Sequence, residues 1–141
     1  MKIITIDGPS GVGKGTLALY LADKLCFNYL NSGALYRSIG YVADLKSIDL
    51  TDEKMLISIS QSITFNLSKA SKNIEIIWEN KNINKEIFNE KTAKTASKIA
   101  SISSLRKSIV NIQRAFAKEP GLVAEGRDMG SIIFPDAIIK L

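Results

Sequence analysis

The residues best suited to chemistry lie in one run near the start of the chain, Gly8-Pro9-Ser10-Gly11-Val12-Gly13-Lys14-Gly15-Thr16. Glycines at this density let the backbone adopt positive φ, so that successive N–H groups turn inward as an anion nest. Lys14 supplies a point charge that can follow a transferring phosphoryl group. The hydroxyl of Thr16 or Ser10 offers a ligand to phosphate or to Mg2+. The run departs from the strict Gly-x-x-x-x-Gly-Lys-Ser/Thr pattern in one respect: position 15 is glycine and the threonine follows it. Three arginines, Arg37, Arg106 and Arg127, stand in separate stretches. A guanidinium fork binds two phosphate oxygens at once, so these are candidates for a second phosphate. Asp128, an acceptor-only group, suits ribose hydroxyls. Glu125, at the end of an apolar run, suits a carboxylate that orients Mg2+ through water, with Asp7 as the alternative; either of them can instead brace a loop.

These groups need rigid elements behind them. Lys2–Asp7 reads as a short buried strand, followed by the glycine turn and then by a helix. In that helix Leu17, Leu21 and Leu25 recur every fourth residue, with Ala18 and Ala22 beside them. Strand, glycine loop and helix form the opening of a βαβ unit, and the loop then sits at a helix N-terminus with its partial positive charge. Residues 27–30 suit a second short strand, or the approach to the next helix. Ser32 is a candidate N-cap for that helix, whose apolar face is Leu35, Ile39 and Val42, and Thr51 a candidate cap for the helix after it. Ile63, Phe65 and Leu67, then Ile74, Ile76 and Trp78, alternate with polar residues across the loop 68–73, which predicts a hairpin extended by residues 81–83. Residues 87–101 read as helical. From Ile99 to Phe116 apolar residues recur at spacings of three and four, which predicts one amphipathic helix of about five turns. Leu122–Glu125 is a buried strand, and Arg127 follows it in the turn Gly126-Arg127-Asp128-Met129-Gly130, at the carboxyl edge where α/β folds bind ligands. Residues 137–141 read as a central parallel strand.

Composition limits the rest. The chain has 141 residues, no histidine and a single cysteine, Cys26. That rules out a Ser-His-Asp triad, histidine metal ligands and an intrachain disulfide. No apolar run is long enough for a membrane helix and the start does not resemble a signal peptide, so the expected location is cytoplasmic. The net charge of +5 suits an anionic partner. The basic residues form no run and do not interleave with aromatics, so the expected partners are small nucleotides and not nucleic acid or membrane.

Four separated stretches carry a family resemblance. They are Thr5-Ile6-Asp7-Gly8-Pro9-Ser10-Gly11 with Gly13-Lys14-Gly15-Thr16; Asn31-Ser32-Gly33-Ala34-Leu35-Tyr36-Arg37; Leu105-Arg106 with Gln113-Arg114-Ala115-Phe116; and Glu125 to Gly130 leading to Phe134-Pro135-Asp136-Ala137. The Gly-Lys-Gly-Thr order resembles nucleoside monophosphate kinases, and all four together resemble the bacterial cytidylate kinases over essentially the whole chain. One departure is Asn31, where that family commonly has aspartate. The resemblance implies an α/β P-loop NTPase fold, one domain over residues 1–141. It has a parallel sheet core and a mixed α/β monophosphate-binding insert over residues 32–118, with its small antiparallel sheet near 63–83. It implies ATP-dependent phosphorylation of CMP or dCMP, with Mg2+. ATP would bind at Gly8 to Thr16, and CMP at Ser32, Tyr36, Arg37, Arg106, Arg127 and Asp128. Lys14 and Arg127 would be catalytic, and Thr16 and Glu125 metal-associated. Gln113, Arg114 and Phe116 read as helix packing and surface. In the family a lid region, then a last strand and helix, follow the point at which this chain stops. The expectation is therefore a family-like monomer for a longer chain, and self-association with negligible activity for these 141 residues alone. Another small-molecule P-loop kinase, or a nucleotide-binding fragment without catalysis, are the alternatives.

Overall fold

A computed structural model describes residues 1–9 and 12–141. They form two compact units, one of Met1–Ser32, Leu67–Ile74 and Asn111–Leu141, the other of Gly33–Asn66 and Glu75–Val110.

The first unit is built on a parallel sheet. Its strands are β1 (Ile3–Asp7), β2 (Asn28–Asn31), β6 (Leu122–Gly126) and β7 (Ile139–Lys140), in the order β2-β6-β1-β7 among the described residues. β6 pairs in parallel with both β1 and β2, so that Glu125 lies level with Ile6 on one side and Asn31 on the other. Every residue of β6 is buried, as expected of a parallel strand between two neighbours. Helix α1 (Lys14–Leu25) packs on this sheet over Ile4, Ile6, Tyr29 and Val123. Of the apolar residues read on this helix, Ala18, Ala22 and Leu21 make that contact and Leu17 and Leu25 do not. Leu17 and Leu25 are 42% and 43% exposed and Leu21 is only partly buried, whereas Ala18 and Ala22 are enclosed. Gly15, Ala18 and Ala22 line one side of the helix, and small side chains there let its backbone approach β6 closely. The strand predicted over 137–141 forms only at Ile139–Lys140, on the edge beside β1, with Ile138, Ile139 and Leu141 exposed.

The second unit holds α2 (Ser32–Leu45), α3 (Glu53–Ser62), α4 (Glu90–Ile99) and α5 (Ser103–Ser108). With them comes a sheet ordered β3 (Thr64–Leu67), β4 (Ile74–Trp78) and β5 (Lys81–Asn82), in which Ile77 faces Asn82 across an antiparallel pair. Its predicted helix face, Leu35, Ile39 and Val42, is fully buried. Thr51 is not a cap: Asp52 accepts the Met55 N–H at 3.2 Å, while Thr51 donates its own N–H and hydroxyl to Asp49. The carboxylate of Asp52 outcompetes the threonine hydroxyl as acceptor for the first-turn amides.

The single long helix predicted over residues 99–116 is broken. α4 ends at Ile99, Ile102 is extended (ψ 112°), and a second break at Ile109 separates α5 from α6 (Val110–Arg114). Ser101 and Ser108 donate their hydroxyls to the carbonyls of Lys98 and Leu105, three residues back. Such local bonds compete with helix propagation, and the β-branched Ile109–Val110 pair lowers propensity further. The apolar spacing survives the breaks, since Ile99, Leu105, Ile109 and Phe116 are all buried.

Gly40 of α2 marks a close helix contact, because a Cβ there would lie 2.8 Å from Thr95 Cγ2 and 3.3 Å from Thr95 Cβ on α4. Alanine gains about 1 kcal/mol of helix propensity over glycine, but overpacking a closed contact costs about 1–3 kcal/mol. Gly40→Ala is expected to be destabilising on balance, read as a lower urea midpoint at unchanged slope.

Candidate active site

The phosphate loop leaves β1 and enters α1 through Gly13, whose φ of 83° and ψ of 10° are left-handed and suit glycine. Gly13 caps the helix without a side chain, so the first amides of α1 receive no capping oxygen from it and are available to an anion. Lys14 folds back over the loop, its Nζ donating to the Pro9 carbonyl at 3.3 Å. The Gly8 N–H donates to the Gly126 carbonyl at 3.2 Å, tying the loop's first residue to the end of β6. Val12 and Thr16 are exposed. Ser10 and Gly11, both predicted to bind ATP, lie outside the described residues.

Glu125 sits beneath this loop, only 4% exposed. A Cβ built on Gly15 would stand 3.3 Å from Glu125 Oε1 and 3.5 Å from Oε2. A serine or threonine at position 15 would crowd this carboxylate, which would have to give by a few tenths of an ångström. The Tyr29 hydroxyl, reaching across from β2, donates to Glu125 Oε1 in a buried hydrogen bond. Burial first, and then the bond and charge of Glu125, push the Tyr29 phenol well above its ordinary value, so it stays a proton donor.

Asp7 has a different task. Its Oδ1 and Oδ2 accept the N–H groups of Met129 and Gly130 at 2.7 and 2.9 Å, clamping the turn that carries Arg127 and Asp128 to the end of β1. Asp128 is left-handed (φ 59°) and opens a π-helical turn, Met129–Ile133. Arg127 is exposed at the end of β6. Arg114 donates from Nε and Nη2 to the carbonyls of Ile133 and Ile132 at 2.9 and 3.0 Å, holding the other end of the same turn. Ser32 does not cap α2: it is the helix's first residue, and its buried hydroxyl donates to Gln113 Oε1 at 2.6 Å.

In the second unit, Tyr36 and Arg106 meet, with the guanidinium donating to the phenol oxygen. Burial raises the Tyr36 pKa and the Arg106 charge and bond pull it back. Arg37 donates from Nη1 to the carbonyls of Ile87 (3.0 Å) and Asn89 (3.4 Å) and lies 5.3 Å from the centre of the Phe88 ring. Gln113 and Arg114, read from sequence as packing and surface, prove to hold Ser32 and the turn after β6. No local pattern points to Tyr29, whose partner lies 96 residues away.

Among the described residues no three His, Cys, Asp or Glu side chains cluster as a metal site. Mg2+ needs no such cluster, because it keeps several waters and takes one or two carboxylates plus substrate phosphates. The hard oxygens of Glu125, set against the first turn of α1 next to Thr16, fit that pattern. Among the described residues no helix is long and apolar enough to cross a membrane.

The family model described as cytidylate kinase matches residues 4–141. The chain is 41% identical over 139 residues to a cytidylate kinase of Photobacterium profundum, covering 99% of this chain and 61% of that protein. It is 45% identical over 141 residues to a cytidylate kinase of Pseudomonas syringae pv. tomato, covering 99% and 62% respectively. A Stutzerimonas stutzeri cytidylate kinase is 43% identical over 143 residues, at 100% and 62% coverage. The chain thus spans 61–62% of the length of these curated relatives.

Removing the Asp7 carboxylate strands two backbone N–H groups on buried residues, Met129 and Gly130. Asp7→Ala is expected to cost about 1–3 kcal/mol of stability, measured by chemical denaturation, with faster amide exchange at Met129 and Gly130.

Proposed function

The chain belongs to the cytidylate kinase family, and on that premise we propose that it carries nucleotide-binding machinery for transferring the γ-phosphoryl group of ATP to CMP or dCMP. The observation that supports this most is the uncapped start of α1, with left-handed Gly13, Lys14 at the first helical position and the carboxyl group of Glu125 against Gly15. The loop from Gly8 to Thr16 holds the phosphates of ATP with its free backbone amides, and Lys14 turns from the Pro9 carbonyl to the phosphoryl group in flight. Mg2+, when bound, neutralises charge between the ATP phosphates, and Glu125 and Thr16 are the groups of this chain that would hold it, Glu125 through water.

In the second unit, Tyr36, Arg37 and Arg106 take the acceptor's dianionic phosphate. Arg127, exposed at the end of β6, is assigned to the charge that develops on the phosphoryl group. Asp128 is assigned to the ribose hydroxyls. Ser32 gives its proton to Gln113, so its oxygen is left as an acceptor for a ligand N–H. No covalent intermediate is needed, because positioning and charge neutralisation suffice for phosphoryl transfer.

An ADP-release assay with a panel of nucleoside monophosphates, run on this chain and on the whole gene product, tests the reading. CMP and dCMP should stimulate ATP consumption most strongly; equal turnover with any other acceptor would assign a different small-molecule kinase. Lys14→Ala should lower turnover by at least about 100-fold while the fold is retained, and near-normal activity would remove the phosphate-loop assignment. Arg106→Met should weaken CMP binding by about 1.5–3 kcal/mol and leave ATP binding nearly unchanged. Equal calorimetric losses for both nucleotides would exclude an acceptor role.

A further inference from the structure

We infer that Tyr29 is a positioning residue for phosphoryl transfer: its hydroxyl holds one oxygen of Glu125 and so fixes the carboxylate against the first turn of α1, where the metal–nucleotide complex binds. The inference rests on the proposed kinase reading and adds to it a residue with no place in the phosphate loop or among the acceptor arginines.

Tyr29 is rigid. Its ring is 8% exposed and packs in the apolar layer of Ile4, Ile6, Ala18, Ala22 and Val123. Its backbone N–H donates to the Lys72 carbonyl at 3.0 Å. If filling that layer were the whole task, phenylalanine would serve as well, since a buried hydroxyl without a partner is costly. The Tyr29 hydroxyl has Glu125 as its partner. Neighbouring strands fix the reach: Tyr29 is level with Val123 on β6 and Asn31 with Glu125, so the phenol spans one step along the sheet to reach the carboxylate.

The other side of the carboxylate is closed by the loop. Gly15 offers only its Cα, and a Cβ there would stand 3.3 Å from Oε1 and 3.5 Å from Oε2. Between the phenol and the helix backbone, Glu125 has little freedom to rotate. With Oε1 taken by Tyr29, Oε2 is the oxygen left for water in a metal's coordination shell. Hydrogen bonds to such carboxylates set their orientation, and losing one commonly weakens metal binding or activity.

The test is Tyr29→Phe, which keeps the ring and removes only the donor. A non-hydrolysable ATP analogue is titrated calorimetrically into this chain, with Mg2+ and again with EDTA, for wild type, Tyr29→Phe, Glu125→Gln and the double variant. Wild type should bind the Mg2+ complex more tightly than the free nucleotide. Tyr29→Phe should reduce that Mg2+-dependent gain by about 10-fold and leave metal-free binding unchanged. In the Glu125→Gln background, where the carboxylate is gone, Tyr29→Phe should add nothing. A Tyr29→Phe protein that keeps the full Mg2+ gain, or loses equally with and without metal, overturns the inference while the kinase reading stands. A wild-type chain that binds the analogue without any Mg2+ gain also overturns it. One that binds no nucleotide overturns the phosphate-loop reading and this inference together.

Discussion

A carboxyl group buried at the end of the central strand constrains the rest of the first unit. Burying Glu125 away from water costs several kcal/mol unless hydrogen bonds replace the lost hydration. The Tyr29 hydroxyl from β2 bonds it on one side, and the start of α1 packs against it on the other. The second contact requires the helix backbone to come close, so the stripe facing β6 is Gly15, Ala18 and Ala22 while Leu17 and Leu25 turn outward. An uncapped helix start is thereby held over a buried oxygen pair, an arrangement suited to a magnesium-bound polyphosphate. The phosphate loop and the strand carboxylate are thus in close contact, and glycine at position 15 leaves room for both.

The turn after β6 obeys a related constraint. Parallel strands end in backbone groups that must be satisfied where the chain leaves the sheet. Asp7, at the end of β1, satisfies two of them at Met129 and Gly130, and Arg114 satisfies two carbonyls at the far end, Ile132 and Ile133. Close packing reinforces the clamp. A Cβ on Gly126 would lie 2.7 Å from Ser32 Cβ, and one on Gly130 would lie 2.7 Å from Thr5 Oγ1. Arg127 is therefore exposed on a short segment anchored on both sides, whose backbone has little entropy left to lose. The second carboxylate that sequence offered to a metal is spent on this scaffold.

What was legible in the sequence was local. The phosphate loop shows itself because glycine, lysine and the strand–helix context act within a dozen residues. The face of α2 shows itself because Leu35, Ile39 and Val42 recur at helical spacing and meet one core. The failures come from competition that periodicity does not record. The stripe from Ile99 to Phe116 is cut into three pieces at Ile102 and Ile109, yet Ile99, Leu105, Ile109 and Phe116 stay buried while Ile102 and Ile112 are half-buried. Asp52 displaced Thr51 as a cap because a carboxylate is the stronger acceptor. On α1 the four-residue spacing of Leu17, Leu21 and Leu25 did not distinguish Leu21, which meets the sheet beside Ala18 and Ala22, from the two exposed leucines. Tyr29 was illegible for a topological reason: its role exists only once β2 and β6 are adjacent and in register.

The arginines of the second unit show how charge can be kept ready without being cancelled. A guanidinium paired with a carboxylate has much of its field neutralised, and a dianion must displace that partner to use it. The partners of Arg37 are neutral, namely the carbonyls of Ile87 and Asn89 and the face of Phe88. They fix the side chain's direction and remove much of the roughly 2 kcal/mol of rotamer entropy that an arginine otherwise loses on binding. Its positive charge remains undiminished. The Tyr36 phenol, kept protonated by burial, accepts a hydrogen bond from Arg106 without adding negative charge. A guanidinium has five donors, so Arg37 can hold its scaffold and still present a fork. Preorganised positive charge of this kind is what the acceptor-phosphate role proposed for the second unit would require.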